Sequence, residues 1–188
     1  MKKLILASAS PRRKEIFEKL GLTFEICPSK KEPPMKEGED VKDAVLNSAK
    51  VKAQDIFEKN PNALVVGADT VVALENRALG KPRDKADAVN MLKSLSGRKH
   101  KVLTGVYVCS ENGQSGFVEE TEVEFFNLSD KEIEDYADTD EPYDKAGAYA
   151  LQGGALRFVK GIIGDYYNVV GFPAARFVRL YEKDLKND

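Results

Sequence analysis

The chain has 188 residues, of which 42% are hydrophobic and 32% are charged, and its formal net charge at pH 7 is −2. This composition is typical of a compact globular protein and is too apolar for a disordered one. The small negative charge argues against a protein that coats nucleic acid. Two distant cysteines, Cys27 and Cys109, and a lone His100 indicate neither a disulfide scaffold nor a multi-histidine metal cluster, and we interpret all three as structural residues.

The first half of the chain predicts alternating strands and helices. Ser10 is placed to cap a helix that begins at Pro11 and stops at Gly21, and a second helix begins near Asp40 and ends at Asn60. Short apolar runs predict buried strands around these helices. Strands are expected over residues 3–7, 23–27, 63–66 and 71–74, with a polar loop over 28–40 and a hairpin turn at Glu75-Asn76.

The second half continues this alternation. Apolar residues at positions 88, 91, 92 and 95 recur at the spacing of one helix face, and Ser96-Gly97 closes that helix. Further elements are strands over 101–108 and 117–126, a helix opened by a capping box over 129–132, short strands and turns over 146–171, and a closing helix over 173–182. Because strands and helices interleave and no linker divides the chain, we predict one α/β domain over residues 1–188 with a mixed sheet.

The N-terminus bears on the location of the protein. Lys2 and Lys3 precede a short apolar run, as in a secretion signal, but the run ends at Ala7 and basic residues follow soon after. No segment approaches the roughly 18 apolar residues of a membrane span. We therefore expect a cytoplasmic protein that does not bind a membrane.

Charge is unevenly distributed along the chain. Residues 1–14 contain five basic residues and no acid, and 119–141 contain eleven acids and one lysine. The acidic stretch is most simply a solvated face. Arg12 and Arg13 lie in the first turn of a predicted helix, where positive side chains oppose the helix dipole. They indicate either an ordinary exposed surface or a phosphate cradle at the helix N-terminus.

A carboxylate follows one of the predicted buried strands. Asp69, within Gly67-Ala68-Asp69-Thr70, is expected at the exit of the strand over 63–66, where ligand sites of α/β proteins usually open. Such a carboxylate can bind Mg²⁺ and orient or deprotonate a water molecule. The alternative is an aspartate that caps a turn.

Two glycine-containing motifs offer further polar side chains. Lys81 in Gly80-Lys81-Pro82 would be either a lysine presented on a rigid turn or an ordinary loop lysine. The amide of Gln152, before Gly153-Gly154, can read a pyrimidine edge through a paired donor and acceptor, since glycine allows a ligand to approach the backbone closely. The simpler interpretation is a tight turn between strands.

Several motifs along the chain belong together. In order they are Leu6-Ala7-Ser8-Ala9-Ser10-Pro11-Arg12-Arg13, the lysines within 49–53, Gly67-Ala68-Asp69-Thr70-Val71, Leu79-Gly80-Lys81-Pro82, Leu95-Ser96-Gly97, Glu141-Pro142-Tyr143-Asp144-Lys145-Ala146-Gly147-Ala148-Tyr149, Gln152-Gly153 and Asn168-Val169-Val170-Gly171-Phe172-Pro173. This set closely resembles the Maf family of nucleoside triphosphate pyrophosphatases. The resemblance extends from Leu4 to about Val178.

The resemblance implies both a fold and an activity. The fold is inosine triphosphatase-like (Maf/Ham1-type), a mixed twisted sheet with flanking helices and two lobes around a cleft. The activity is hydrolysis of a nucleoside triphosphate to the monophosphate and pyrophosphate, with a divalent cation such as Mg²⁺ or Mn²⁺. The motif residues resemble the branch of the family that acts on dTTP and UTP, and CTP or modified pyrimidine nucleotides stay open as further substrates. A homodimer is compatible with the sequence.

The resemblance also implies roles for individual residues. Asp69 is the proton acceptor for the attacking water and, with Glu32, a metal ligand. Arg12, Thr70 and Gln152 mark the choice of substrate. The other polar positions of the site are Ser8, Arg13, Lys52 and Lys81. Glu32 lies in Ser29-Lys30-Lys31-Glu32-Pro33-Pro34, where the family has a more acidic stretch.

The sequence is compared with two other classes of function, a regulatory protein and a nucleic-acid-binding module. The family takes its name from septum formation, so the chain could be a non-catalytic regulator of cell division that acts through partner binding. Against this, Arg12, Asp69, Lys81 and Gln152 are all intact. A nucleic-acid module based on the basic N-terminus is disfavoured because no face interleaves aromatic and basic residues.

Overall fold

The structure, a computed structural model, describes residues 3–36 and 38–185. The strands are β1 (Leu4–Leu6), β2 (Glu25–Ile26), β3 (Leu64–Leu74), β4 (Arg77–Leu79), β5 (Lys99–Ser110), β6 (Gly113–Phe125) and β7 (Val159–Ile163). The α-helices are α1 (Pro11–Lys19), α2 (Val41–Phe57), α3 (Lys85–Leu95), α4 (Asp130–Ala137), α5 (Tyr166–Val170) and α6 (Ala174–Leu185). Short 3-10 helices cover Glu141–Asp144, Ala146–Ala148 and Gly154–Phe158.

The strands form one mixed sheet. Six strands lie in the order β2-β1-β3-β5-β6-β7, and the seventh, β4, pairs with β3. β1 is parallel to both β2 and β3, whereas β4 is antiparallel to β3 and β7 is antiparallel to β6. A mixed sheet that alternates with helices along the chain confirms the predicted α/β class.

The chain consists of two compact units. The first contains Met1–Asp69, Thr104–Glu119 and Gly171–Asp188, and the second contains Thr70–Leu103 and Glu120–Val170. Each unit is therefore assembled from separate stretches of sequence, and the boundary in β3 falls between Asp69 and Thr70. The single domain expected over residues 1–188 stays a prediction.

In the first unit, α2 packs against the sheet closely enough to require glycine at two strand positions. A Cβ atom on Gly67 would lie 2.3 Å from the carbonyl oxygen of Ala49. A Cβ atom on Gly105 would lie 2.5 Å from the carbonyl oxygen of Val45. Because glycine lacks a Cβ, the helix backbone can approach both strands. This close approach brings the side chains of α2 near the polar end of β3.

An aromatic cluster fixes α1 in the same unit. Phe17, fully buried, lies 5.2 Å from Phe24, 5.0 Å from Phe172 and 5.7 Å from Phe177, measured between ring centroids. The contacts with Phe24 and Phe172 are edge to face and that with Phe177 is stacked, and ring pairs of both kinds add to the free energy gained by burying the rings. These contacts fix the position of α1 and therefore of the serines and arginines at its N-terminus.

The second unit has its own apolar core. Leu92 of α3, Tyr136 of α4, Phe125 of β6 and Phe158 are each at most 1% exposed. His100 is also buried here, with its Nε2 atom 2.8 Å from the hydroxyl of Tyr149. Burial lowers the pKa of His100 to about 4, so the ring is neutral at pH 7.

Local signals in the sequence are confirmed. Ser10 and Asp40 cap α1 and α2, and Ser129 forms the expected capping box with Glu132 at the start of α4. The predicted hairpin turn joins β3 to β4, and its residues Glu75 and Asn76 have φ angles of 50° and 64°. Such left-handed pairs fit the right-handed twist of the flanking strands.

Two expectations for the sheet and its connections are wrong. The separate strands over 63–66 and 71–74 are one continuous strand, β3, so Asp69 lies within a strand and not at its exit. Gly67 is present because α2 approaches the strand there, not because the chain turns. The region over 146–171 contains mainly 3-10 and α-helical turns, with one strand, β7.

The N-terminal pattern includes Lys2, which lies outside the described residues, as does Glu37 of the predicted polar loop. Among the helices that the structure describes, none combines the length and the apolar character needed to cross a bilayer.

Candidate active site

The carboxylate of Asp69 stands where the parallel part of the sheet ends. β1 pairs with β3 only over Leu64–Val66, and the last bond of this kind runs from the amide of Ala7 to the carbonyl of Val66. β3 continues beyond its neighbour, which leaves Asp69 beside a strand end although it is itself in a strand. The preceding residue, Ala68, is buried, while the side chain of Asp69 is 29% exposed. The carboxylate can therefore meet both solvent and ligand.

Lys52 of α2 joins two predicted site carboxylates. Its Nζ atom lies 2.9 Å from Oδ1 of Asp69 and 3.4 Å from Oε1 of Glu32. The side chain of Lys52 is only 12% exposed, whereas that of Glu32 is 74% exposed. The structure thus brings Glu32, Lys52 and Asp69 together, and the roles that the family resemblance gives them stay predictions.

The N-terminus of α1 contains a buried guanidinium. Arg13 donates from Nε to the carbonyl of Gly171 at 2.9 Å and from Nη1 to Oγ of Ser8 at 2.9 Å. Burial lowers the pKa of Arg13; the charge of Asp69 opposes this effect and that of Arg12 adds to it. Arg13 therefore fixes Ser8 and the Gly171 segment in this structure, and its binding of substrate stays a prediction.

Arg12 has a different environment from Arg13. Its side chain is half-buried, and its charge is close enough to Arg13 to affect the pKa of that residue. It lies in the first turn of α1, beside the capping serine Ser10. Because Arg12 lies next to the helix N–H groups and is less buried than Arg13, the phosphate-cradle interpretation rests on Arg12 more than on Arg13.

Sequence reasoning missed Asp55, which organises the loop that carries Glu32. Its buried carboxylate accepts a hydrogen bond from Ser29 Oγ at 2.7 Å and lies 3.3 Å from Nζ of Lys31 and 3.1 Å from Nζ of Lys59. The Ser29 hydrogen bond, followed by that of Lys59, lowers the pKa of Asp55 to about 2. An acid between the apolar residues Ala53 and Ile56 of α2 was the available signal.

The contacts of Asp55 explain the unusual loop sequence. Ser29 and Lys31 both bind Asp55, and the backbone amide of Lys31 also donates to Ser29 Oγ at 3.0 Å. The next residue, Glu32, then points to Lys52. The less acidic loop therefore still presents a carboxylate to the Asp69 region.

The remaining predicted site residues belong to the second unit. Thr70 follows Asp69 in β3 and is half-buried, and Lys81 is exposed. The carbonyl of Gly80 accepts a hydrogen bond from the amide of Gly147 at 3.0 Å, which ties the lysine-bearing segment to the 3-10 helix Ala146–Ala148. Gln152 is exposed within a turn, but this turn connects the 3-10 helices Ala146–Ala148 and Gly154–Phe158 and not the two strands that the simpler interpretation predicts. Neither outcome tests its role in binding a base.

Within residues 3–36 and 38–185, no group of three or more His, Cys, Asp or Glu side chains could hold a metal ion. The pair Glu32 and Asp69 is a smaller donor set that shares a single ammonium. Mg²⁺ is commonly bound by one or two carboxylates together with water and substrate phosphates. The two residues fit that pattern.

Comparison with known proteins identifies the family of this chain. The sequence profile of the Maf-like protein family matches residues 3–183. The chain belongs to the Maf-like family. Among the relatives of this family member, a protein of Geobacillus sp. (strain WCH70) named dTTP/UTP pyrophosphatase is 50% identical over 95% of the chain and 96% of the relative. A Bacillus pumilus (strain SAFR-032) protein of the same name is 48% identical over 97% and 96%.

A solved structure supports the fold of this Maf-like protein. The Staphylococcus aureus Ham1 protein superposes with a TM-score of 0.51 at 14% identity, covering 98% of this chain and 100% of the other. At this identity the likeness concerns the fold alone. It confirms the predicted Ham1-type class, and the profile match confirms the predicted family.

Proposed function

We propose that this protein hydrolyses dTTP and UTP to the nucleoside monophosphate and pyrophosphate. The observation that carries the proposal is the ion pair of Lys52 with Asp69, with Glu32 on the same ammonium. Near-full-length relatives named dTTP/UTP pyrophosphatase support it. The alternative, a non-catalytic regulator of septum formation, has no support from relatives with enzyme names.

Asp69 is the proposed general base. Its carboxylate is partly exposed, so it can take a proton from a water molecule. The oxygen of that water attacks the α-phosphorus, and the bond from the α-phosphorus to the oxygen bridging to the β-phosphorus breaks. Pyrophosphate leaves with the electron pair of that bond. The Lys52 ammonium, which is nearly buried, holds the carboxylate in a single orientation.

Positive side chains hold the triphosphate in this proposal. Charge develops on the phosphoryl oxygens and on the leaving pyrophosphate, and positioned cations stabilise it. Lys52, Lys81 and Arg12 are the proposed contacts, with Arg13 supporting Ser8. The resemblance to the dTTP and UTP branch assigns the choice of base to Arg12, Thr70 and Gln152.

A divalent cation completes the proposed chemistry. Glu32 and Asp69 would hold it, since both carboxylates already share one cationic partner. When bound, Mg²⁺ or Mn²⁺ neutralises charge on the phosphate oxygens. The proposal also includes the cytoplasm as location, and a homodimer is compatible with it.

Product analysis in ¹⁸O-labelled water tests the proposal. With Mg²⁺ and dTTP, the products should be dTMP and pyrophosphate, and the label should appear in dTMP because attack occurs at the α-phosphorus. Label in pyrophosphate would mean attack at the β-phosphorus. Formation of dTDP and orthophosphate would show a simple phosphatase instead. The Asp69→Asn variant, purified in the same way, controls for contaminating phosphatases.

A further inference from the structure

Gln152 lies in a turn whose geometry is well defined. The amide of Gly153 donates to the carbonyl of Ala150 at 3.1 Å, which closes a four-residue turn with Gln152 as its third member. The 3-10 helix Gly154–Phe158 follows immediately. The turn therefore presents the exposed amide side chain of Gln152 from a short, closed segment of backbone.

Two side chains hold this turn from both ends. The amide of Ala150, before Gln152, donates to the hydroxyl oxygen of Tyr136 at 3.2 Å. The amide of Gly154, after Gln152, donates to Oε2 of Glu141 at 2.9 Å. The Tyr136 hydroxyl in turn donates to Oε1 of Glu141 at 2.7 Å. A continuous chain of hydrogen bonds thus connects the two ends of the turn.

The turn also packs directly on the carboxylate of Glu141. A Cβ atom on Gly153 would lie 2.1 to 2.4 Å from the carboxylate atoms of Glu141. A side chain at this position would displace the Glu141 carboxylate, so it is this contact, and not an unusual φ angle, that favours glycine here. The glycine after Gln152 therefore has a physical reason within this unit.

The two holding residues are themselves fixed. Tyr136 is 1% exposed, and its ring meets Phe158 edge to face at 5.2 Å between centroids. Glu141 begins a 3-10 helix, and its backbone amide donates to Oγ1 of Thr139 at 3.3 Å. Burial and the neighbouring Glu141 raise the pKa of Tyr136, which keeps its hydroxyl a donor.

We propose that Tyr136 and Glu141 are positioning residues for base recognition, because they fix the turn that presents Gln152. This inference rests on the proposed role of Gln152 in reading the base. Tyr136 and Glu141 do not touch the nucleotide in this proposal. They reduce the number of orientations open to the Gln152 amide, so their loss weakens binding of the correct base more than it slows the chemical step.

The first test removes single groups from the holding pair. Tyr136→Phe deletes one hydroxyl and keeps the ring, and should lower kcat/KM for dTTP and UTP roughly 3- to 10-fold through KM, with kcat nearly unchanged. Glu141→Ala should lower it further, and Glu141→Gln, which keeps an acceptor for Gly154, should restore part of the loss. The matched control is Tyr143→Phe, which removes a hydroxyl bonded to the carbonyl of Ala137 and should leave both constants unchanged.

The second test separates this inference from the proposed function. Hydrogen exchange of the Gly153 and Gly154 amides should speed up in Tyr136→Phe and Glu141→Ala but not in Tyr143→Phe. In a Gln152→Ala background, Tyr136→Phe should no longer change the ratio of kcat/KM for dTTP and GTP. Two results would overturn the positioning inference and leave the proposed function standing. One is unchanged hydrogen exchange in the variants, and the other is an undiminished effect of Tyr136→Phe on this ratio in the Gln152→Ala background. If Gln152→Ala itself leaves that ratio unchanged, the proposed role of Gln152 fails while the exchange result still reports on the turn.

Discussion

Lys52 and Asp69 form an ion pair of 2.9 Å in which the ammonium is 12% and the carboxylate 29% exposed. Water is largely excluded from the lysine, so the pair is less screened than a surface pair. The carboxylate keeps one face toward solvent. This asymmetry suits a base that must be held in place and yet receive a proton from water.

Replacing Asp69 by asparagine tests the base directly. Asp69→Asn keeps the shape of the side chain but removes its basicity, and general-base catalysis contributes roughly 10²- to 10⁴-fold. We expect kcat for dTTP to fall by about that factor while nucleotide binding, measured by calorimetry, stays within a few-fold. Asp43→Asn, an exposed position in the first turn of α2, is the control. Near wild-type turnover of Asp69→Asn at saturating metal would assign the base elsewhere.

Lys52 should matter for the reaction more than for the fold. Lys52→Met leaves two carboxylates without their shared partner and removes a positive charge from the site, and loss of one positioned donor costs roughly 10²- to 10³-fold in kcat. Lys59→Met is the control, since Lys59 lies just after α2 and its side chain is 65% exposed. We expect less than a twofold effect from it. Equal losses in both variants would indicate a general effect of charge.

The fold features that follow from neighbouring residues were predictable. The caps at Ser10 and Asp40, the capping box of α4 and the Glu75-Asn76 turn depend on contacts within four residues. Gly67 shows where this fails. A glycine after an apolar run is typical of a turn, but here it admits the backbone of α2, a contact between residues far apart in sequence.

The candidate site divides in the same way. Asp69 was identified from its position after an apolar run and Lys52 through the family resemblance, and the structure places the two in contact. Asp55 and Tyr136 were not identified, because their importance lies in partners distant in sequence, Ser29 and Ala150. An acid or a tyrosine on a helix gives no local sign of which loop it will hold.

The buried imidazole of His100 should make stability depend on pH. Its pKa of about 4 in the folded chain lies below the ordinary 6.5, so the unfolded chain binds the proton more tightly. The free energy of unfolding is therefore highest above pH 6.5, where His100 is neutral in both states. It falls by about 3 kcal/mol as the pH is lowered toward 4, because the unfolded chain takes up a proton at His100 first.

Urea unfolding of wild type and His100→Gln at several pH values checks this expectation. The variant has no titrating group at this position, so the difference in unfolding free energy between the two proteins should shrink or reverse between pH 6.5 and 4. A constant difference across that range would contradict the assignment. Asp55, whose pKa is lowered to about 2, is present in both proteins, so its effect on stability cancels in this difference.

Replacing Gln152 tests whether its side chain recognises the nucleotide base. Uracil and thymine present O4 and N3–H on one edge, so one amide can donate to the first and accept from the second. Cytosine reverses this edge, although a flipped amide could follow it. Each lost hydrogen bond to a buried polar group costs about 1–3 kcal/mol, so Gln152→Ala should lower kcat/KM for dTTP and UTP roughly 10- to 100-fold. The kcat/KM values for purine triphosphates should change much less, because these substrates gain little from Gln152.

The measurement is kcat/KM for dTTP, UTP, CTP and GTP with the wild type, Gln152→Ala and the control Gln54→Ala. The amide of Gln54 binds Gln114 at the surface. An equal loss for all four nucleotides would mean that Gln152 supports the structure without reading the base.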